Sequence, residues 1–202
     1  MRIVSWNVHN RVAPTAVRQG TFVATLDPDL VLLQEANHSA MDAFCEAAGL
    51  SWCRSSLDLR PPAQYPQGRR LGVAICGSGE QPTKCFSLDT VPLPERTLVA
   101  TVPIRGRTIT VASYHAPPGV SWKILKVHQA VAFARLLATL DSPVLFGADA
   151  NTPELDAISF TDTRTHWHSG KRILGGEPGD DLLFGPRKIH GLDDALRRCP
   201  WP

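Results

Sequence analysis

The sequence predicts one domain, residues 1–202, that mixes α-helices and β-strands, and three observations carry this prediction. The length of 202 residues fits a single domain with a buried core. Hydrophobic residues make up 43% of the chain and charged residues 20%, a composition that excludes a mainly disordered protein. A strand–helix–strand pattern occurs twice, near residues 2–34 and 108–147, and such a crossover joins neighbouring parallel strands.

The first crossover begins with an apolar strand at residues 2–6. Apolar residues at helical spacing then predict a helix over 15–26. A turn at Asp27-Pro28-Asp29 leads into a second apolar strand at 30–33, which is expected to end at Gln34-Glu35.

A second helix is expected over residues 39–48, where apolar residues fall on one face. Ser39 is its predicted N-cap and Gly49 its stop. Two weaker strands are expected on either side of a Pro-rich loop at 61–66, and their ranges are 51–54 and 71–76.

The second crossover starts from a predicted hairpin of strands 97–103 and 108–114, joined across Arg105-Gly106-Arg107. A long helix over 121–140 and a strand at 144–146 follow. The polar, Gly-rich remainder predicts a long loop over 160–188 and a short helix over 191–198.

Charge and cysteine content say little about function. The formal net charge of +2 leaves no broad electrostatic footprint for nucleic acid. Five cysteines without a Cys-x-x-Cys pair indicate buried thiols rather than a zinc knuckle or a disulfide framework. No apolar run reaches the length of a membrane span, and the N-terminus lacks a signal-peptide pattern, so we expect a cytoplasmic protein.

Polar residues follow the predicted strands at positions where packing gives no reason for them. These residues are Asn7, Glu35, His115, Asp149 and Asn151. Parallel strands bring their carboxyl ends to one edge of a sheet, where open α/β folds bind ligands. Oxygen ligands of this kind suit a hard cation such as Mg²⁺ or Mn²⁺ rather than zinc.

Each of these residues also has an ordinary structural interpretation. Asn7 is compatible with a turn, Glu35 with a surface charge, and His115 with a ring that satisfies a backbone carbonyl. Asp149 and Asn151 are compatible with caps of the turn before Thr152-Pro153. Their shared placement after successive strands favours a common site.

An ordered set of motifs resembles the endonuclease/exonuclease/phosphatase superfamily, which has the DNase I-like fold. The matching segments, in the family's order, are Ser5-Trp6-Asn7, Leu33-Gln34-Glu35, Arg96, Tyr114-His115-Ala116-Pro117 and Gly147-Ala148-Asp149-Ala150-Asn151. The resemblance implies an α+β fold, a four-layer α/β/β/α sandwich whose strand ends hold a divalent cation.

The same resemblance implies a role for each residue and a reaction. Asn7 and Glu35 are expected to bind Mg²⁺ or Mn²⁺, and His115 to contact the phosphate. Asp149 and Asn151 are expected to position the attacking water and stabilise the transition state during hydrolysis of a phosphoester. The residues that the resemblance places against substrate are Arg96 and Asn151.

The family pattern closes with a Ser-Asp-His segment, and this sequence contains no Asp-His pair. We therefore expect a chain that is shortened at its C-terminus, and two hypotheses stand. The first is a metal-dependent phosphoesterase acting on nucleic acid or a small phosphodiester. The second is a non-catalytic domain that keeps the fold and the cation site and acts in binding only.

Overall fold

The computed structural model describes residues 1–59, 71–141, 143–151, 159, 162, 164–168, 171–174 and 178–198. The Pro-rich loop predicted at 61–66 lies outside these residues. The described chain divides into two compact units, of which the first comprises 1–89, 93–115 and 141–149. The second contains the described residues of 90–92, 116–140 and 150–202. The prediction of a single domain stays a prediction.

The first sheet of the first unit has the strand order β1-β2-β4-β3. Its strands are β1 (Ile3–Asn7), β2 (Leu30–Asn37), β3 (Trp52–Ser55) and β4 (Leu71–Gly77). Helix α1 (Ala13–Ala24) connects β1 to β2, which are parallel neighbours, so the first predicted crossover is confirmed. The short helix α3 (Ser56–Leu59) follows β3 and was not expected.

Strand β2 extends beyond the predicted end at Gln34-Glu35 and contains a β-bulge there. The register against β4 advances three residues from Leu33 to Ala36 on β2 but only two residues on β4. Glu35 is the extra residue and has a φ of +51°, an uncommon conformation for a residue with a side chain. The backbone N–H groups of Val8 and Asn10 donate to the carbonyls of Gln34 and Glu35, both at 2.9 Å, which holds the bulge in place.

The second sheet has the strand order β5-β6-β7-β8. It contains β5 (Lys84–Phe86), β6 (Thr97–Ile104), β7 (Arg107–His115) and β8 (Val144–Asp149). The predicted hairpin is confirmed as β6 and β7, which turn at Arg105 and Gly106 with φ values of +49° and +74°. Strands β7 and β8 are parallel, as the second crossover predicted. Strand β5 and the 3₁₀ turn Pro94–Arg96 were not predicted.

The two sheets pack face to face in the first unit, and helices cover the other face of the first sheet. Leu32 and Ile75 of the first sheet meet Leu98 and Val111 of the second in one buried apolar cluster. A second cluster lies between the first sheet and helices α1 and α2 (Met41–Ala48). Three of the four layers implied by the resemblance, α/β/β, are therefore present within this unit.

The beginning of α2 differs from the prediction. Ser39 is not its N-cap, because a 3₁₀ turn (His38–Ala40) precedes the helix and the Asn37 side chain accepts the Ser39 N–H at 3.2 Å. The predicted stop is confirmed, since Gly49 ends the helix with a φ of +67°.

The second unit contains helices α4 (Gly119–Ala138), α5 (Pro178–Leu183) and α6 (Ala195–Arg198). It also contains the antiparallel pair β9 (Arg164–His168) and β10 (Lys171–Leu174). The prediction of a continuous loop over 160–188 is therefore wrong, because a hairpin and a helix form there despite the polar, Gly-rich composition. Among the described residues, no helix is long and apolar enough to cross a membrane.

Candidate active site

The first unit brings together four of the residues predicted to form a site. Asn7, His115 and Asp149 are the last residues of β1, β7 and β8, and Glu35 projects from the bulge in β2. His115 Nε2 lies 3.7 Å from Glu35 Oε1 and 3.9 Å from Asp149 Oδ2. The sequence placed all four at the ends of strands, and the structure brings them close together, with Glu35 in the bulge rather than at the end of its strand.

Asn7 links the edge strands of the two sheets. Its Nδ2 donates to Asp149 Oδ2 at 2.5 Å, and its Oδ1 accepts the backbone N–H of His9 at 2.8 Å. The pair of hydrogen bonds fixes the amide plane and positions the Asp149 carboxylate. Asn7 is therefore more than the turn residue that its local sequence permits.

His115 is buried and contacts Arg96, the last residue of the 3₁₀ turn before β6. Arg96 NH1 lies 3.1 Å from His115 Nδ1 and 3.4 Å from Nε2. Burial first, and then the Arg96 guanidinium, lower the pKa of His115 to about 4, while Asp149 acts in the opposite direction. The imidazole is therefore neutral at pH 7.

The neutral ring has a preferred tautomer in this setting. A guanidinium can only donate hydrogen bonds, so the closer ring nitrogen, Nδ1, acts as acceptor from Arg96. The shorter contact favours the tautomer with the ring proton on Nε2, which faces the carboxylates of Glu35 and Asp149. His115 can thus donate a hydrogen bond from Nε2 to an anionic group placed between these residues.

The carboxylates suit a hard cation by their chemistry and their spacing. Single ligand atoms of Glu35, His115 and Asp149 all lie within 4.8 Å of one another. Both carboxylates are about one-quarter exposed, with side-chain exposures of 26% and 27%, so solvent ions reach them. Two like charges this close repel each other, and a divalent cation relieves that repulsion. The donor set therefore fits Mg²⁺ or Mn²⁺, with the amide oxygen of Asn7 as a further donor once it turns from His9.

Asn151 belongs to the second unit. The Asn151 Nδ2 donates to the backbone carbonyl of Ala116 at 2.6 Å, and the Asn151 backbone carbonyl accepts from Lys126 Nζ at 3.4 Å. Asn151 has a φ of +48°. The two hydrogen bonds stabilise this conformation of the segment after β8.

A buried polar network behind the site escaped the sequence analysis. Gln34 Nε2 donates to Ser113 Oγ at 3.1 Å and to Ser5 Oγ at 3.3 Å, and Ser113 Oγ donates to the Leu33 carbonyl at 2.8 Å. Ser5 and Ser113 each lie two residues before a site residue of the same strand, Asn7 and His115. The signal available in the sequence was a polar residue at an inward-facing strand position.

Two facing mixed sheets, helices on the outer face of one of them, and polar residues at the strand ends define a DNase I-like α+β protein. The chain belongs to the endonuclease/exonuclease/phosphatase family, whose model matches residues 4–193. The resemblance found in the motifs is thereby confirmed, as is the fold class. The comparison with curated protein sequences gave no match.

Solved structures of low sequence identity share this fold. TDP2 from D. rerio in complex with a single-strand DNA product has a TM-score of 0.58 and 16% identity, with 75% of this chain and 61% of that chain covered. A beta toxin mutant from Staphylococcus aureus with bound magnesium ions has a TM-score of 0.57 and 14% identity, with coverage of 75% and 65%. A humanized D. rerio TDP2 has a TM-score of 0.55 and 16% identity, with coverage of 75% and 66%. The chain thus spans somewhat less than two-thirds of the length of these proteins.

Proposed function

We propose that this protein is a phosphoesterase that depends on Mg²⁺ or Mn²⁺ and hydrolyses phosphodiester or phosphomonoester bonds by attack of water. The observation that carries the proposal is the convergence of Glu35, His115 and Asp149 within 4.8 Å, beside the buried Arg96. Membership of the endonuclease/exonuclease/phosphatase family supports the same reaction class.

The charges of the site support an anionic substrate with a cation cofactor. The site contains two carboxylates and one guanidinium. The side chains of Glu35, Asp149, Arg96 and neutral His115 therefore carry a net charge of −1, which repels phosphate when no cation is bound. One bound divalent cation makes the sum +1 and attracts it. When bound, such a cation would be held by Glu35 and Asn7 and would neutralise charge on the phosphate.

Each of the remaining side chains has its own role in the proposed reaction. His115 donates from Nε2 to a phosphate oxygen, and Arg96 holds the ring in the tautomer that allows this. Asp149, fixed by Asn7, accepts a proton from the attacking water. Arg96 and Asn151 are further proposed contacts to substrate.

The substrate is proposed to be a nucleic-acid strand or a small phosphodiester. TDP2 is a relative in fold whose structure holds a single-strand DNA product. A short single-stranded oligonucleotide and bis-(p-nitrophenyl) phosphate are therefore the first substrates to assay, each with Mg²⁺ and with Mn²⁺.

The test combines cation binding with turnover in matched variants. Glu35→Gln should weaken Mg²⁺ binding in titration calorimetry, because a carboxylate ligand becomes a neutral amide. Asp149→Asn should lower turnover by about 10²-fold or more. Glu46→Gln, an exposed carboxylate on α2, is the control and should change neither quantity.

Two outcomes would contradict the proposal in different ways. Equal Mg²⁺ affinities of the wild type and Glu35→Gln would remove the assignment of the cation site. Tight cation and oligonucleotide binding without turnover would identify the second hypothesis, a domain that binds but does not hydrolyse.

A further inference from the structure

Three cysteine thiols converge in the first unit, outside the candidate active site. Cys45 lies on α2, Cys53 on β3 and Cys76 on β4, and their Sγ atoms lie within 4.8 Å of one another. The Sγ atoms of Cys53 and Cys76 are 2.9 Å apart, because these residues are direct partners across the β3–β4 ladder. All three are free thiols.

The fold holds the three sulfur atoms in place before any ligand binds. Cys45 and Cys76 are buried with exposures of 7% and 0%, within the apolar cluster between the helices and the first sheet. Cys53 is only partly buried and packs against the same cluster, so it is the most exposed residue of the group. Three separate elements therefore supply one donor each to a common point.

The spacing matches what one thiolate-bound metal ion requires. A Zn–S bond of about 2.3 Å in tetrahedral geometry places sulfur atoms about 3.8 Å apart. The observed group, with one separation of 2.9 Å and none above 4.8 Å, reaches that spacing by side-chain shifts of about 1 Å. Sulfur ligands in an apolar pocket favour soft metal ions over Mg²⁺ or Mn²⁺.

We propose that Cys45, Cys53 and Cys76 form a binding site for one soft metal ion, with Zn²⁺ as the ion of choice. Binding releases three thiol protons and leaves a complex with net charge −1, since three thiolates face one divalent ion. The group provides three donors among the described residues. A water that enters beside the partly exposed Cys53 completes four-coordination.

Metal binding at this site would stabilise the β3 edge of the first sheet. Strand β3 is the outermost strand of the first sheet, and among the described residues it pairs with β4 alone. A metal ion shared by β3, β4 and α2 ties this edge to its neighbouring strand and to the helical layer. Binding to the folded state alone also raises the midpoint of thermal unfolding.

Cobalt substitution tests the proposal on the intact chain, purified with reductant and handled without oxygen. Titration with Co²⁺ should produce a sulfur-to-cobalt charge-transfer band at one ion per chain, and Zn²⁺ should abolish it. Cys45→Ser, Cys53→Ser and Cys76→Ser should each weaken Co²⁺ binding by at least about 100-fold. Loss of a metal ligand costs at least as much affinity as loss of a residue that hydrogen-bonds to a ligand.

Two control variants distinguish metal binding by these three cysteines from metal binding by other side chains. Cys85→Ser removes a thiol on β5 that lies outside the group and should leave the band unchanged. Glu35→Gln should also leave it unchanged, because oxygen ligands give no such band. Failure of the proposed phosphoesterase site is therefore distinguishable from failure of this one.

Thiol alkylation of the wild type avoids any dependence on variants that fail to fold. In the native chain, Cys53, the partly exposed member of the group, should be alkylated more slowly when Zn²⁺ is present than when a chelator is present. Absence of the charge-transfer band, equal alkylation in both conditions, or a Cys53–Cys76 disulfide in the reduced preparation would each overturn the proposal.

Discussion

Gly147 is the position at which a single methyl group should disturb the site most directly. It lies on β8, two residues before Asp149, where the strand passes close to β1. A Cβ atom at Gly147 would lie 2.4 Å from Ser5 Oγ, 2.6 Å from Ser5 Cβ and 3.0 Å from Leu32 Cδ1. Gly147→Ala therefore forces the edge strands of the two sheets apart.

The size of the effect follows from these distances. Ordinary contact begins near 3.4 Å, so β1 and β8 must separate by about 1 Å to accept the new methyl group. Overpacking of this kind costs about 1–3 kcal/mol of unfolding free energy, and the midpoint of thermal unfolding should fall by roughly 2–12 °C. The 2.5 Å hydrogen bond from Asn7 to Asp149 lengthens as well, and a displacement of about 1 Å at reacting groups costs on the order of 10²-fold in rate.

Thermal unfolding and phosphodiester hydrolysis should be measured side by side for Gly147→Ala. Gly79→Ala is the matched control, because a Cβ at Gly79 meets nothing within 4 Å. Ser5→Gly in the Gly147→Ala background removes both clashing atoms of Ser5 and should restore part of the stability and rate. A Gly147→Ala protein that equals the wild type in both assays, or a double variant with no recovery, would refute this account of the two edges.

Three further substitutions test other parts of the structure. Gln34→Leu removes the buried hydrogen bonds to Ser113 and Ser5 and should lower the free energy of unfolding by about 1–3 kcal/mol in urea titration; an unchanged midpoint would show that the network contributes nothing. The Arg2 backbone N–H and the Arg105 guanidinium lower the pKa of Asp29. The stabilisation of the folded state by this carboxylate is therefore present above the unfolded pKa of about 3.9 and is lost as the pH falls through the folded pKa. The stability difference between wild type and Asp29→Asn should accordingly shrink when the pH falls below about 4, and a difference that is constant from pH 7 to pH 2 contradicts the assignment. Asn37→Ala removes the side chain that accepts the Ser39 N–H and should cost about 1 kcal/mol, measured by urea unfolding.

The parts of the fold that sequence reasoning recovered are those with local signals. Apolar runs followed by polar residues identified β1, β7 and β8 and thereby Asn7, His115 and Asp149 as neighbours. Helical spacing between apolar strands identified the crossover through α1. These signals depend only on residues close together in the chain, so a single sequence contains them.

The features that sequence reasoning missed arise from contacts between distant segments. Gln34 acquires its role only when the two sheets meet, because Ser113 lies 79 positions away. The cysteine spacing gave no metal signal, since Cys45, Cys53 and Cys76 come from three different elements. Strands β9 and β10 form in a polar segment that lacks the apolar alternation by which a strand is predicted from sequence.

The bulge in β2 also limits how the length of this chain can change over evolutionary time. Leu33 and Ala36 both pack towards the helices, although they are separated by an odd number of positions, and the extra residue makes this possible. Loss of one residue between them would remove the bulge and with it the position from which Glu35 reaches His115, and gain of one residue would turn one half of the strand over, exchanging its buried and exposed faces. Insertions and deletions accumulate readily in surface loops, but this strand can be expected to keep its length. Alignments of related sequences should therefore be free of gaps between Leu33 and Ala36, even where the intervening residues differ.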